Sequence, residues 1–145
     1  MDMASEPTAV VESYLKAFND QDADRLRSVL AEDVIEHGIH ATVSGVASVI
    51  DRLDRHHTVF PDYTGTSHEI MADGEIVCVR YSASGTHTGE YHDIEPTGLK
   101  ATWTGMAMYR IKDGHIAEIW LEEDRLGLLE QLQFVAETEP AHLRI

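Results

Sequence analysis

Cysteine is almost missing from this chain: Cys78 stands alone among 145 residues. No intramolecular disulfide can form, and a reducing cytoplasm is the expected compartment. Cys78 lies in the apolar run 76–79, which reads as a buried bystander and not a nucleophile. Lysine is scarce as well, with three (Lys16, Lys100, Lys112) against eight arginines, and the formal net charge is −15. The basic patch that phosphates require is therefore lacking, so no nucleic-acid partner is expected, nor an anionic membrane. Strong acidity with few lysines suits a salt-adapted protein, because salt screens repulsion between like charges. No apolar run nears the roughly 20 residues of a membrane span. The start, MDMASEPTAV, lacks the basic and apolar regions of a secretory signal.

Several catalytic signatures are missing too. There is no HExxH, and the pairs His37/His40 and His87/His92 match no usual ligand spacing, so the nine histidines predict no metal site. The glycines of 85–89 fit neither nucleotide-binding motif, and no GxSxG elbow surrounds a serine.

What is present is an ordered set of elements. At this length one domain over 1–145 is expected, with 134–145 a loose or partner-packed tail. Val10, Tyr14 and Phe18, with Val11 and Leu15, recur at helical spacing, and Pro7 is tolerated in a first turn. A second short helix uses Leu26, Val29 and Leu30. Short β-prone pieces follow at 34–37 and 40–43. A third helix over 46–58 carries Val46, Val49, Ile50 and Leu53, and Pro61 ends it. The pattern then turns to strands. Segments 64–72 and 75–87 are joined by Asp73-Gly74, and segments 100–112 and 115–123 by Asp113-Gly114. Asp-Gly between alternating runs is a strong hairpin signal. The stretch 88–99 reads as a loop, and 124–132 as a last helix. Helices followed by long antiparallel strands predict an α+β fold. Strands this long curl, and a curved antiparallel sheet wrapped around the N-terminal helices leaves an internal pocket.

FPDY at 60–63, SGTHTGEY at 84–91, PTG at 96–98, MYRIKDGHIAEIW at 108–120 and LGLLEQL at 126–132 occur in an order that resembles the SnoaL-like polyketide cyclases. These are also called ester cyclases, a branch of the NTF2-like superfamily. The resemblance runs from about Val10 to Leu132. It implies an NTF2-like cone, a deep pocket for a small apolar molecule, no cofactor and a homodimer. It also implies an acid/base aspartate near the end of the last strand, which here matches Asp124.

The candidate site residues follow. Ile116, Glu118, Trp120, Glu122 and Asp124 share one parity, so an unbroken strand points them to one face. Asp124 reads either as the proton-transfer group or as a helix N-cap. His37 and His87 are the other catalytic candidates, as partners of Asp124 or of a substrate carbonyl; each also reads as structural. Trp120, Trp103, Tyr14 and Phe60 are candidate pocket walls or core. Glu118 reads as a pocket acid or as the ion-pair partner of Arg80, and Arg80 as that partner or as a carboxylate clamp. Glu123, of opposite parity, is expected at the surface. The function implied is a cofactor-independent, intramolecular aldol cyclisation or related acid/base chemistry on a small carbonyl compound. The alternatives are a ligand-binding or dimerisation module and an isomerase or hydrolase of the same superfamily. An epoxide hydrolase of this fold needs an Asp-Arg-Asp set, and Arg80 with Asp124 offers no second aspartate.

Overall fold

The computed structural model describes residues 5–90 and 94–135. The element order is α1 (Ser5–Asn19), α2 (Ala23–Val29), β1 (Leu30–His37), β2 (Thr42–Ser44), α3 (Val46–Val59), β3 (Thr64–Asp73), β4 (Ile76–Thr86), β5 (Lys100–Lys112), β6 (His115–Glu123) and α4 (Arg125–Gln131). Of the expected tail, residues 136–145 lie outside the described chain. Phe134 is described, and its ring meets His87 edge-on at 5.5 Å.

The helices form where the apolar spacing places them. Val11, Tyr14 and Phe18 are the buried stripe of α1, and Val49, Leu53 and His57 that of α3. Asp22 caps α2 by accepting from the Arg25 backbone N–H at 3.1 Å. Leu30 is the C-cap of α2 with an extended backbone, and it opens β1 instead of prolonging the helix.

The six strands form one sheet in the order β2-β1-β6-β5-β4-β3. Its pairings are antiparallel except one: β1 runs parallel to β6. The sheet is thus mixed, since the chain leaves β1 and returns beside it only after all the other strands. The hairpin β5–β6 turns at Asp113 and Gly114, both at positive φ, as a tight two-residue turn demands. α1 and α3 lie against the sheet. One core cluster joins α1, α2 and α3 to the sheet through residues such as Phe18, Leu26, Leu53, Tyr109 and Ile119. A second joins Phe60, Trp103, Leu128 and Leu132. Between them the sheet curves around a cavity. Among the described residues no helix is long and apolar enough to cross a membrane.

One irregularity decides which side chains enter that cavity. Ile111 pairs with Ile116, yet Arg110 pairs with Glu118, so Ala117 is an extra residue in β6. This β-bulge inverts the alternation beyond it. Ile116 points inward, and after the bulge Ile119, Leu121 and Glu123 take over, opposite Tyr109, Ala107 and Gly105 of β5. Glu118, Trp120 and Glu122 go to the outer face with Met108 and Met106. The single inward face expected for Ile116, Glu118, Trp120, Glu122 and Asp124 is therefore corrected to Ile116, Ile119, Leu121 and Glu123.

Candidate active site

The cavity holds about 760 Å³, enough for a molecule of drug size. Its walls come from α1, α3, the loop 38–41, strands β3 to β6 and the start of α4. Aromatic and aliphatic side chains share the lining with exposed charged ones such as Lys16, Asp20, Asp54, Arg55 and Glu90, and the more buried polar side chains form two groups.

The first is built on α1, β1 and α3. In β1, Val34 and Glu36 share an inward parity and are both nearly fully buried. Arg52 stands on α3 beside the apolar stripe. Its Nε donates to Glu36 Oε1 at 2.7 Å, and its Nη2 to the Tyr14 hydroxyl. Its guanidinium also lies 4.7 Å from the Phe18 ring centroid. Burial works against the Arg52 charge, but the Tyr14 oxygen and the Glu36 carboxylate outweigh it and hold the proton more tightly than usual. Burial raises the Tyr14 pKa. Tyr109, edge-on to Tyr14 at 5.3 Å, is raised further by the same cause.

One helical turn beyond Arg52 is His56. Its Nδ1 lies 3.0 Å from the Arg52 carbonyl oxygen, and its ring meets Phe18 and Tyr63 edge-on. Burial first, then the Arg52 charge, lowers its pKa to about 3. The carbonyl bond opposes that shift, and Arg125 and Arg55 add to it. This imidazole is neutral at physiological pH.

The second polar group is built across three strands. Tyr81, Gly105 and Glu123 occupy one row of β4, β5 and β6. Two strand spacings separate Tyr81 from Glu123, roughly 9.6 Å of sheet. A side chain at position 105 would block the row: a Cβ there would lie 2.5 Å from the Tyr81 ring and 2.9 Å from the Glu122 carbonyl oxygen. Glycine leaves the row open, and the Tyr81 hydroxyl reaches the Glu123 carboxylate. Burial, then the charge of Glu123 and this bond, holds the Tyr81 proton far more tightly than usual. Trp103 Nε1 donates to Glu123 Oε2 at 3.1 Å, and Arg125 Nη2 lies 3.8 Å from Oε1. Glu123 has a side-chain exposure of 9%, which corrects the expectation that it is a surface residue.

Of the residues singled out from the sequence, Tyr14, Phe60 and Trp103 line the cavity. The others do not. Asp124 is the N-cap of α4, accepting from the Gly127 backbone N–H at 2.9 Å. It borders a shallow groove with Arg80, Met106 and Glu122, residues of the outer face. His37 lies outside as well. Its Nε2 is 2.6 Å from Glu118, and its ring stacks on Trp120 at 5.3 Å and 16°. It meets Glu118 and not Asp124, because β1 and β6 bring 37 and 120 into register on the outer side. Arg80 pairs with Glu69 of the neighbouring strand at 2.9 Å, not with Glu118. Glu118 instead serves His37, with Arg110 at 3.6 Å. Arg110 in turn lies over the Trp120 ring at 5.6 Å. His87 is fully buried at the end of β4, taking the Thr97 backbone N–H on Nδ1 at 3.1 Å. Burial lowers its pKa.

Sequence reading missed Glu36, Arg52, His56 and Glu123. Two of them had a signal. Arg52 and His56 fall three residues after Val49 and Leu53, so they flank the stripe of α3 and are not opposite it. Glu36 shares parity with Val34, but Ile35 of the other parity is apolar too, and the pattern does not choose. Glu123 had none, because the bulge is not written in local alternation. Among the described residues, no group of three or more His, Cys, Asp or Glu side chains is arranged to hold a metal ion.

Comparison with known proteins bears on this cavity. A family model described as SnoaL-like polyketide cyclase matches residues 8–132. The crystal structure of wild-type IdmH, a candidate polyketide cyclase from Streptomyces antibioticus, is similar at 30% identity and a TM-score of 0.76. That likeness covers 88% of this chain and 98% of that one. AclR, a candidate hydroxylase from Streptomyces galilaeus, shares the fold at 24% identity and a TM-score of 0.84, over 97% of this chain and 88% of its own. An LEH-like epoxide hydrolase from M. tuberculosis shares it at 18% identity and a TM-score of 0.72, over 92% and 93% of the two chains. Comparison with curated proteins gave no match.

Proposed function

We propose that this chain, which belongs to the SnoaL-like polyketide cyclase family, catalyses acid/base ring closure on a small apolar carbonyl compound held in the cavity. The observation that carries the reading is a buried carboxylate, Glu123, in the sheet wall of the chamber, with the cationic Arg52 and the Tyr14 hydroxyl on the helical side of the same cavity. The reaction is an intramolecular aldol addition. Glu123 takes a proton from the carbon next to one carbonyl. The resulting enolate carbon attacks a second carbonyl of the same molecule, forming a C–C bond and an alkoxide. The proton then returns to the alkoxide, so the balance is zero and no cofactor is required. Arg52 and Tyr14 face the developing oxyanion. The Tyr14 hydroxyl accepts from Arg52 and so keeps its own proton to donate. The chamber folds the substrate, and proximity supplies much of the rate.

This reading moves the proton-transfer role from Asp124 to its neighbour Glu123. The test is hydrogen–deuterium exchange at the α-carbon of 1-tetralone in D2O, followed by cyclisation of heptane-2,6-dione. Glu123→Gln is expected to slow exchange by roughly 100-fold or more, the usual scale for a positioned base. Asp124→Asn is expected to leave it nearly unchanged. The reverse pattern, in variants with unchanged circular dichroism, would return the role to Asp124 and end the proposal for Glu123.

We also propose that a second copy of the chain covers the outer face of the sheet. Met71, Cys78, Met108, Trp120 and His37 form one continuous row across it. Met71 and Met106 are more than half exposed.

A further inference from the structure

The polar groups that α3 presents to the chamber differ in kind. Arg52 can only donate. Glu36 and Tyr14 take two of its N–H groups, and no described residue takes the others. His56 is the complement. Its Nδ1 faces the Arg52 carbonyl oxygen at 3.0 Å, and a carbonyl oxygen only accepts. The ring proton is therefore on Nδ1, and Nε2 carries a lone pair. Among the described residues Nε2 has no hydrogen-bond partner, although the ring lines the chamber. The ring cannot turn freely, because Phe18 and Tyr63 hold it edge-on at 5.4 to 5.6 Å separations between the three rings. The charged groups acting on it are Arg52 and Arg55 from its own helix and Arg125 from α4. All three are cations, and each disfavours a second proton.

We propose that His56 determines specificity by accepting a hydrogen bond from a ligand hydroxyl, so that the chamber selects hydroxylated carbonyl compounds over their methyl ethers. The residues divide the task. Arg52 and Tyr14 take the carbonyl oxygen, which needs donors. His56 Nε2 takes the hydroxyl, which needs an acceptor. Residues 52 and 56 are one helical turn apart on one side of α3, so the two ligand oxygens fall a few ångströms apart on one edge of a flat molecule. An aromatic lining supports its faces. A ligand bearing only acceptors covers Nε2 without giving it a partner, which costs affinity. The inference rests on the cavity being the substrate site proposed above, but not on the chemistry assigned to Glu123.

The probes are 6-hydroxy-1-tetralone, 6-methoxy-1-tetralone and 1-tetralone, measured by titration calorimetry on the whole chain. The wild type is expected to bind the hydroxy compound about tenfold more tightly than the methoxy compound, the scale of one hydrogen bond to an otherwise unmet acceptor. His56→Phe is expected to abolish that preference and to bind 1-tetralone and the methoxy compound more tightly than the wild type does, since it has no acceptor to leave unmet. His56→Gln, which retains an acceptor oxygen, is expected to keep part of it. Equal binding by the wild type, failure of either hydroxylated or methylated probe to bind, or a preference that survives in His56→Phe overturns the proposal. A second readout does not depend on any variant folding. In 15N spectra the His56 ring is expected as the Nδ1–H tautomer from about pH 5 to 8, with the Nε2 resonance moving on addition of the hydroxy probe. An Nε2–H tautomer or an imidazolium in that range overturns it equally. Loss of α-carbon exchange with the binding preference intact would fail the cyclisation reading alone.

Discussion

Between pH 6.5 and about 3, the unfolded chain takes up a proton at residue 56 that the folded chain refuses. The native state binds fewer protons there, so stability falls as the pH falls through this window. At about 1.4 kcal/mol per pKa unit, the loss by pH 4 is on the order of 3 kcal/mol. In urea titrations the stability of wild type relative to His56→Phe is therefore expected to fall by that amount as pH drops from 7 to 4, since the variant has no such proton to refuse. Parallel curves would refute the assignment. Arg52 makes a second prediction at this scale. Its removal strands Glu36, which is 3% exposed, as an unpaired charge. Arg52→Met is expected to cost about 3–5 kcal/mol, and Arg52→Met with Glu36→Leu markedly less, because the double change leaves no charge buried alone. Calorimetric melting of the two variants distinguishes pair from orphan.

The elements were legible because they rest on local rules. The Asp-Gly dipeptides mark both hairpins, and β5 and β6 begin and end where alternation and turn chemistry place them. The apolar stripe located α3 to within a residue. Ala117 was not legible. Whether one residue of an alternating run is paired or extruded depends on the strand beside it, here at Arg110 and Ile111. Deleting Ala117 is expected to restore regular pairing while leaving Trp120 on the outer face and Glu123 on the inner one, because residues 116 and 118 already pair with neighbouring residues of β5. Trp fluorescence quenching by acrylamide and tetralone binding are expected to stay as in the wild type; a change in both would mean that Ala117 is not the unpaired residue. Gly105→Ala tests the row across β4, β5 and β6. The added methyl group displaces the Tyr81 ring from Glu123, and a stability loss of about 1–3 kcal/mol is expected from the broken bond to a charged partner. An unchanged melting temperature would mean that the row is not what holds Glu123 in place.

At the scale of the molecule, the charge of −15 is the dominant fact. Like charges repel in the folded state more than in the expanded one, and salt screens them. The melting temperature is expected to rise between low salt and about 1 M NaCl, where the screening length falls to roughly 3 Å. A fall would show that the ion pairs, such as Arg80 with Glu69, outweigh the net repulsion. The proposed dimer carries twice that charge, so sedimentation is expected to show association strengthening with salt. Trp120→Glu, in the middle of the outer row, is expected to leave a monomer with an intact chamber. A monomeric wild type at all salt concentrations would remove the outer face from consideration.

By itself the sequence determined the elements, their order, both hairpins, the acidic character and the family, since each is carried by neighbours along the chain or by motifs in series. It offered Tyr14, Phe60, Trp103 and Trp120 alike as pocket walls or core, without a rule to choose among them. Only the tertiary structure decided which charged side chains enter the chamber. Glu123 came in and Glu118 with Trp120 went out because one bulged residue inverted β6. His37 found Glu118, and Arg80 found Glu69, because strand register chose their partners. Arg52 and His56 became the polar wall because α3 lies against a curved sheet whose inner side they meet at the edge of their stripe. Inward or outward is a property of paired strands and packed helices, and it is settled by contacts between residues far apart in the chain.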